Sequence, residues 1–287
     1  MKREDIFIRD PFVLVANGKY YLYGTRGENC WTNHEDGVDV YISTDLEEFE
    51  GPIEAFHKPE DFWADRNYWA PEVHEYKGAY YMFLSLKAEG HCRGTQIFKA
   101  DKPEGPFVLH SDGPVTPKDW EALDGTFYIS KTGEPYMIFS HEWCQVVDGQ
   151  ICALKLSEDL KEAIGEPKLL FRASEPEWSR ACKAGQYVTD GPFMYRTSTG
   201  ELLMIWSSFA KTGYVVAKAH SDNGEIDGNW IHDEELLFPD NGGHGMIFKN
   251  LNGQLFLTIH KPNKHPDERP VFLKVCEKNG TLVSESA

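Results

Sequence analysis

The stretch Thr189–Ser208, "TDGPFMYRTSTGELLMIWSS", puts an acid ahead of a short apolar run, a turn at Gly200 and a second apolar run. A glycine turn between two runs of β-favouring residues is a hairpin signal. Four other stretches share the pattern: "RDPFVLVANGKYYLYG" (9–24), "APEVHEYKGAYYMFLS" (70–85), "LDGTFYISKTGEPYMIFS" (123–140) and "GHGMIFKNLNGQLFLTIH" (243–260). Their turn glycines, Gly18, Gly78, Gly133, Gly200 and Gly253, are 60, 55, 67 and 53 residues apart. A weaker third strand follows each hairpin, as in "VDVYISTDLEEFEGP" (38–52), and there is room for a fourth, as in "PKLLF" (167–171). Four strands per unit and five units predict an all-β, five-bladed β-propeller. A β-sandwich also has many short strands, but it does not predict a recurring unit of this length.

Nothing interrupts the series, so residues 1–287 read as a single domain. Aromatics make up 13% of the chain, enough for a substantial β core. The formal charge of −17 argues against a nucleic-acid partner, whose phosphates would be repelled. No segment has the length and apolarity of a membrane span. The six cysteines form no CxxC pair, which suits free thiols and a reducing compartment. With no apolar leader in "MKREDIFIRDPFVLV", the expected location is cytoplasmic. Oligomeric state is not legible.

In a propeller the first strand of each blade lines the central channel, so equivalent heads converge on one mouth. Read by eye, those heads are Asp10, Glu72, Asp124, Asp190 and His244. An Asp before Gly or Pro commonly serves a turn by accepting backbone N–H groups. Four acids at five equivalent heads are harder to assign to turns, because like charges gathered together raise one another's pKa. Carboxyls facing each other across a pocket suit glycosidic hydrolysis: one protonates the leaving oxygen, the other activates water or attacks the sugar. A third can hold the donor's pKa up. Trp31, Trp69 and Trp143 flank these heads and offer flat faces for sugar rings, although propellers also bury Trp between blades. Trp69 and Trp143, each beside a candidate acid, are the preferred substrate contacts, with Glu72 a further one.

The stretches "IRDPFV", "YWAPEVH", "LDGTFY", "DGPFMY" and "GHGMIF", in this order, resemble glycoside hydrolase family 43 over almost the whole chain. The resemblance implies an oligosaccharide substrate of arabinose- and xylose-containing plant cell walls, and an inverting mechanism. It places Asp10 on the catalytic base and Asp124 on the acid that tunes the donor. It places His244 on a central histidine that stands near a metal or water; a structural calcium in the channel is the ion implied, and no cofactor is required. Arg269, in "DERP", is matched loosely to a ligand for a sugar hydroxyl.

Where the family has Glu-Gly-Pro, this chain has Asp190-Gly191-Pro192. Aspartate is one methylene shorter, so its carboxyl falls ~1–1.5 Å short. A misplacement of that size costs on the order of a hundredfold in rate. Three outcomes stay open: Asp190 still donates, Glu142 in "SHEW" takes over, or catalysis is lost. The last would leave a silent carbohydrate-binding propeller. A phosphorylase would need a cationic cluster at the mouth. Pocket depth, which separates exo from endo action, depends on the loops at 24–37 and 174–187.

Overall fold

In the computed structural model, residues 1–28, 30–32, 36–182 and 185–285 are described, so part of each loop named above lies outside the described residues. Five four-stranded antiparallel sheets are arranged as a ring, each made of consecutive strands. Blade 1 holds β1 (Ile8–Ala16), β2 (Lys19–Arg26), β3 (Gly37–Ser43) and β4 (Glu50–His57). Blade 2 holds β5 (Arg66–Tyr76), β6 (Ala79–Ala88), β7 (His91–Ala100) and β8 (Val108–Leu109). Blade 3 holds β9 (Ala122–Ile129), β10 (Pro135–His141), β11 (Gln150–Leu156) and β12 (Ala163–Arg172). Blade 4 holds β13 (Asp190–Arg196), β14 (Leu202–Ala210), β15 (Gly213–Ser221) and β16 (Trp230–His232). Blade 5 holds β17 (Gly243–Lys249), β18 (Leu255–Lys261), β19 (Arg269–Lys278) and β20 (Thr281–Ser284). The five predicted turn glycines all take left-handed φ values, from 70° to 96°. None of the six cysteines forms a disulfide.

Neighbouring blades cover both faces of the inner strands. That is why β6 reads as a continuous apolar run, and why every residue from Ala79 to Leu86 is buried, without the alternation of a half-exposed strand. Aromatic wedges fill most junctions. Phe56 meets Phe98 at 4.5 Å between blades 1 and 2, and Phe83 stacks on Phe127 at 5.5 Å between blades 2 and 3. Phe171 meets the fully buried Trp206 at 5.2 Å between blades 3 and 4. Blades 4 and 5 pack mainly through aliphatic side chains such as Ile205, Val216 and Leu257. Among the described residues, no strand is exchanged between the first and last blades. The ring closes through side chains such as Tyr20, whose ring meets Phe248 at 6.4 Å and whose hydroxyl accepts the Leu251 N–H.

One feature of the first strands positions everything that follows. Each carries a β-bulge near its head, where three steps along the first strand oppose two along the second. The jumps fall between Arg9 and Phe12, Trp69 and Glu72, Leu123 and Thr126, Asp190 and Phe193, and Gly243 and Met246. The first bulged residue is Asp10, Ala70, Asp124, Gly191 or His244, and all five have φ between 46° and 58°. The five bulges share one geometry, and the side chains of Asp10, Asp124 and His244 line one mouth.

This register corrects the alignment by eye. Asp10, Asp124 and His244 are equivalent. Asp190 stands one residue before its bulge, level with Arg9, and Glu72 stands two beyond Ala70, level with Phe12. Alternation along a strand carries Glu72 down the channel. There its Oε2 pairs with His74 Nε2 at 2.9 Å.

Candidate active site

A bulge leaves one backbone N–H outside the ladder, and a buried N–H needs an acceptor. The acceptors come in a cyclic series from the second strand of the preceding blade. Ala70 N–H donates to Thr25 Oγ1 (2.8 Å), Asp124 N–H to Ser85 Oγ (2.9 Å) and His244 N–H to Ser207 Oγ (2.8 Å). Asp10 N–H donates to His260 Nδ1 (3.2 Å). The junction of blades 3 and 4 breaks the series. Its equivalent hydroxyl, Ser140 Oγ, has no partner among the described residues, and Gly191 N–H donates to the Asp124 carboxylate at 3.0 Å instead. Glycine is required at that bulge: an added Cβ would lie 2.7 Å from the His244 ring.

The mouth encloses a cavity of about 170 Å³ lined by Asp10, Asp124, Asp190, Glu142 and His244, with Trp31, Trp69 and Trp143 as its aromatic walls. A larger groove of about 830 Å³, outside blades 2 and 3, runs along residues 112–118 and 159–167 and gathers no comparable set of groups. Seven of the nine site residues expected from sequence therefore share the pocket. Two do not. Glu72 is down the channel with His74, as its register requires. Arg269 faces the N-terminal segment: its guanidinium donates to the Glu4 and Pro266 carbonyls and lies 4.9 Å from the centre of the Phe7 ring.

The carboxyls of the pocket differ in surroundings. Asp10 Oδ2 accepts from Thr25 Oγ1 at 2.6 Å, and His244 Nδ1 stands 3.3 Å from Oδ1. Burial alone would raise its pKa, but His244, His260 and Arg9 outweigh burial and hold it below the usual carboxylate range. Asp124 goes the other way. Burial drives it well up, the charges of Asp10, Glu142 and Glu72 add to this, and the Gly191 N–H opposes. Asp190 is pushed up to about 7, first by burial and then by Asp124, against the pull of His244 and of a hydrogen bond from Tyr214. Glu142 forms a buried ion pair with Arg93 Nη1. Across one small pocket, then, Asp10 is held toward its ionised form, while Asp190 keeps its proton up to about pH 7. That is the division of labour that acid–base cleavage of an acetal bond requires.

Sequence reasoning missed the residues that create these differences. Arg9 lines the pocket beside Asp10, is tied to Glu268 and to Asn263 Oδ1 (3.2 Å), and lies 5.1 Å from the Trp31 ring. Arg93 lies 4.3 Å from the Trp69 ring, and Trp69 is pinned by its Nε1–H to Cys30 O at 2.7 Å. Each guanidinium is already neutralised by a glutamate, so neither offers the free cationic cluster that a phosphorylase would need. Thr25 and His260 end the second strands of two recognised repeats, and aligning those strand ends would have found them. Tyr214 opens the weaker third strand of blade 4 and carried no signal.

His244 was matched to a metal-side histidine. In the structure its Nδ1 is turned to the Asp10 and Asp124 carboxyls, at 3.3 and 3.8 Å. Calcium takes six to eight oxygen ligands. Among the described residues, the only group of three or more potential ligands close enough to share an ion is Glu121, Glu142 and Cys144. Its two acids are already paired with Lys87 and Arg93. Among the described residues, the channel side chains bring no three such ligands within reach of one ion.

A five-bladed propeller that gathers three aspartates in one aromatic-walled pocket fits the class of glycoside hydrolases. Residues 5–280 match the description "Glycosyl hydrolases family 43", and the chain belongs to that family. Among solved structures it is similar to an endo-arabinase from Bacteroides thetaiotaomicron VPI-5482, with 40% identity, a TM-score of 0.89 and 98% of both chains covered. A thermostable family-43 glycoside hydrolase shares the fold at 23% identity, with a TM-score of 0.83 and 98% and 93% of the two chains covered. "Xylosidase/arabinosidase 43A" of Humicola insolens is 25% identical over 79% of this chain and 69% of its own length. An exo-α-(1→5)-L-arabinofuranosidase of Cellvibrio japonicus is 24% identical over 67% of this chain and 56% of its own length.

Proposed function

We propose that the protein hydrolyses arabinofuranosyl or xylosyl linkages of plant cell-wall oligosaccharides from the chain end, with inversion, and that arabinofuranosyl units are the better substrate. The observation that carries this reading is the pocket itself, which brings the carboxyls of Asp10, Asp124 and Asp190 together between Trp31, Trp69 and Trp143. Asp10 takes a proton from a water whose oxygen attacks the anomeric carbon. The glycosidic C–O bond breaks as Asp190 gives its proton to the leaving oxygen. Asp124 accepts the Gly191 N–H and so fixes the backbone that carries Asp190, whose pKa is raised first by burial and then by Asp124. Glu142, committed to Arg93, serves the aromatic wall and not the proton transfer.

The similarity to an endo-arabinase at 40% identity supports the arabinose preference. The exo reading rests on size. A cavity of about 170 Å³ is well below the ~300–1,000 Å³ of pockets that hold drug-sized ligands and suits a single sugar ring. Incubation with linear arabino- and xylo-oligosaccharides, followed by NMR of the first-formed sugar, tests both points. Monosaccharide as sole early product, with inverted anomeric configuration, is expected. Early release of di- and trisaccharides overturns the exo reading, and retention of configuration overturns the mechanism.

A further inference from the structure

Asp190 is a shorter donor than its family's glutamate, and the structure surrounds it with one group that the mechanism has not yet used. Tyr214, at the start of β15, is 2% exposed and donates its hydroxyl to Asp190 Oδ2 at 3.0 Å. Its ring is held on two sides. One face stacks on His260 at 5.7 Å with an interplanar angle of 16°, and the edge lies against Gly243, where an added Cβ would come within 2.5 Å of Cε1. His260 in turn accepts the Asp10 N–H. One rigid ring thus links the mounting of the ionised carboxyl to the side chain of the protonated one.

Hydrogen bonding sorts the two oxygens of Asp190. Oδ2 is engaged as an acceptor from Tyr214, while Oδ1 has no hydrogen-bond partner among the described residues. We propose that Tyr214 is a positioning residue for the proton donor: by holding Asp190 through Oδ2 it leaves the transferable proton on Oδ1, facing the pocket. A short carboxyl fixed in direction makes up in orientation part of what it lacks in reach. Burial and then the charge of Asp190 keep the phenol protonated far above neutrality, so this donor persists over the working range.

The inference rests on Asp190 being the donor. The other titratable or charged groups around Asp190 and Tyr214 are Asp10 and Arg9 on β1, Asp124 on β9, His260 on β18, His244 on β17 and the Glu142–Arg93 pair at the pocket wall. Tyr214→Phe keeps the ring and removes only the hydroxyl. A hydrogen bond to the ionised form lowers a carboxyl pKa, so its loss moves the alkaline limb of kcat/KM upward, by about one unit.

The test measures pH profiles of wild type, Tyr214→Phe and Asp190→Asn on an aryl arabinofuranoside and on an arabinobiose. With Tyr214→Phe the limb should rise, the rate on the disaccharide should fall about tenfold or more, and the aryl rate should fall less than threefold. Gly243→Ala, which crowds the ring without removing the hydroxyl, should move the limb the same way. An unmoved limb with equal losses on both substrates, or no change at all, overturns the positioning role. If Asp190→Asn itself leaves the limb and the leaving-group dependence intact, the donor assignment has failed and the inference falls with it, whatever Tyr214→Phe shows.

Discussion

At the junction of blades 5 and 1, the bulge N–H of Asp10 is accepted by His260, and the carboxyl of Asp10 is left to Thr25 and His244. At the junction of blades 3 and 4, the bulge N–H belongs to Gly191 and is accepted by a carboxylate, Asp124, because Ser140 does not take the part that Ser85 and Ser207 play elsewhere. The backbone is the same at both places. The partners are not, and the electrostatics diverge: Asp10 is held ionised, while Asp124 and Asp190 are pushed toward their protonated forms. A single structural unit, repeated around a ring, thus holds carboxyls of opposite tendency: His244, His260 and Arg9 outweigh burial at Asp10, whereas burial prevails at Asp190 and, against the Gly191 N–H, at Asp124.

The largest effect should come from breaking the ionised side. Asp10→Asn cannot take a proton from water and should lower kcat by about 10³-fold or more on every substrate, read by steady-state kinetics. A residual rate above a tenth of wild type would mean that another group is the base.

The protonated side should break more selectively. Asp190→Asn should cost about 10²–10³-fold on an arabinobiose and far less on a p-nitrophenyl glycoside, whose leaving group needs little protonation. Equal losses on both would remove the distinction between the two junctions.

The smallest effects should separate the junctions by stability alone. Ser207→Ala leaves the buried His244 N–H without its acceptor and should cost about 1–3 kcal/mol in chemical denaturation, with Ser85→Ala similar at Asp124. Ser140→Ala removes a hydroxyl that has no partner among the described residues and should fall within about 0.5 kcal/mol of wild type. Equal costs at Ser140 and Ser207 would show that the blade 3–4 junction is not the exception described.

The fold was legible because a hairpin with a glycine turn recurs five times, and each copy drew on the same local chemistry of turn and apolar run. The site was legible in part. Asp10, Asp124 and His244 stand at equivalent bulges, and the repeat leads to them directly. Asp190 was found through the same repeat, although it sits one residue out of register. Glu72 was misread because it is the acid nearest the head of β5, where the bulge position itself is held by Ala70. Arg9, Arg93 and Tyr214 lie outside the repeated acid position, and what they do depends on contacts across blades that no local pattern encodes. Arg269 failed for a related reason: a charged residue near the end of the last blade can face either the channel or the outer surface, and the sequence pattern does not separate the two.

The most direct test of the account is the pH dependence of kcat/KM on an arabinobiose for wild type, Asp190→Asn and Glu142→Gln. The donor must be protonated, and Asp190 sits at about 7, so wild-type activity should fall as pH rises through about 7. That alkaline limb should vanish in Asp190→Asn and persist in Glu142→Gln, whose carboxylate is already spent on Arg93. A limb that survives in Asp190→Asn and disappears in Glu142→Gln would contradict the account and pass the proton to Glu142.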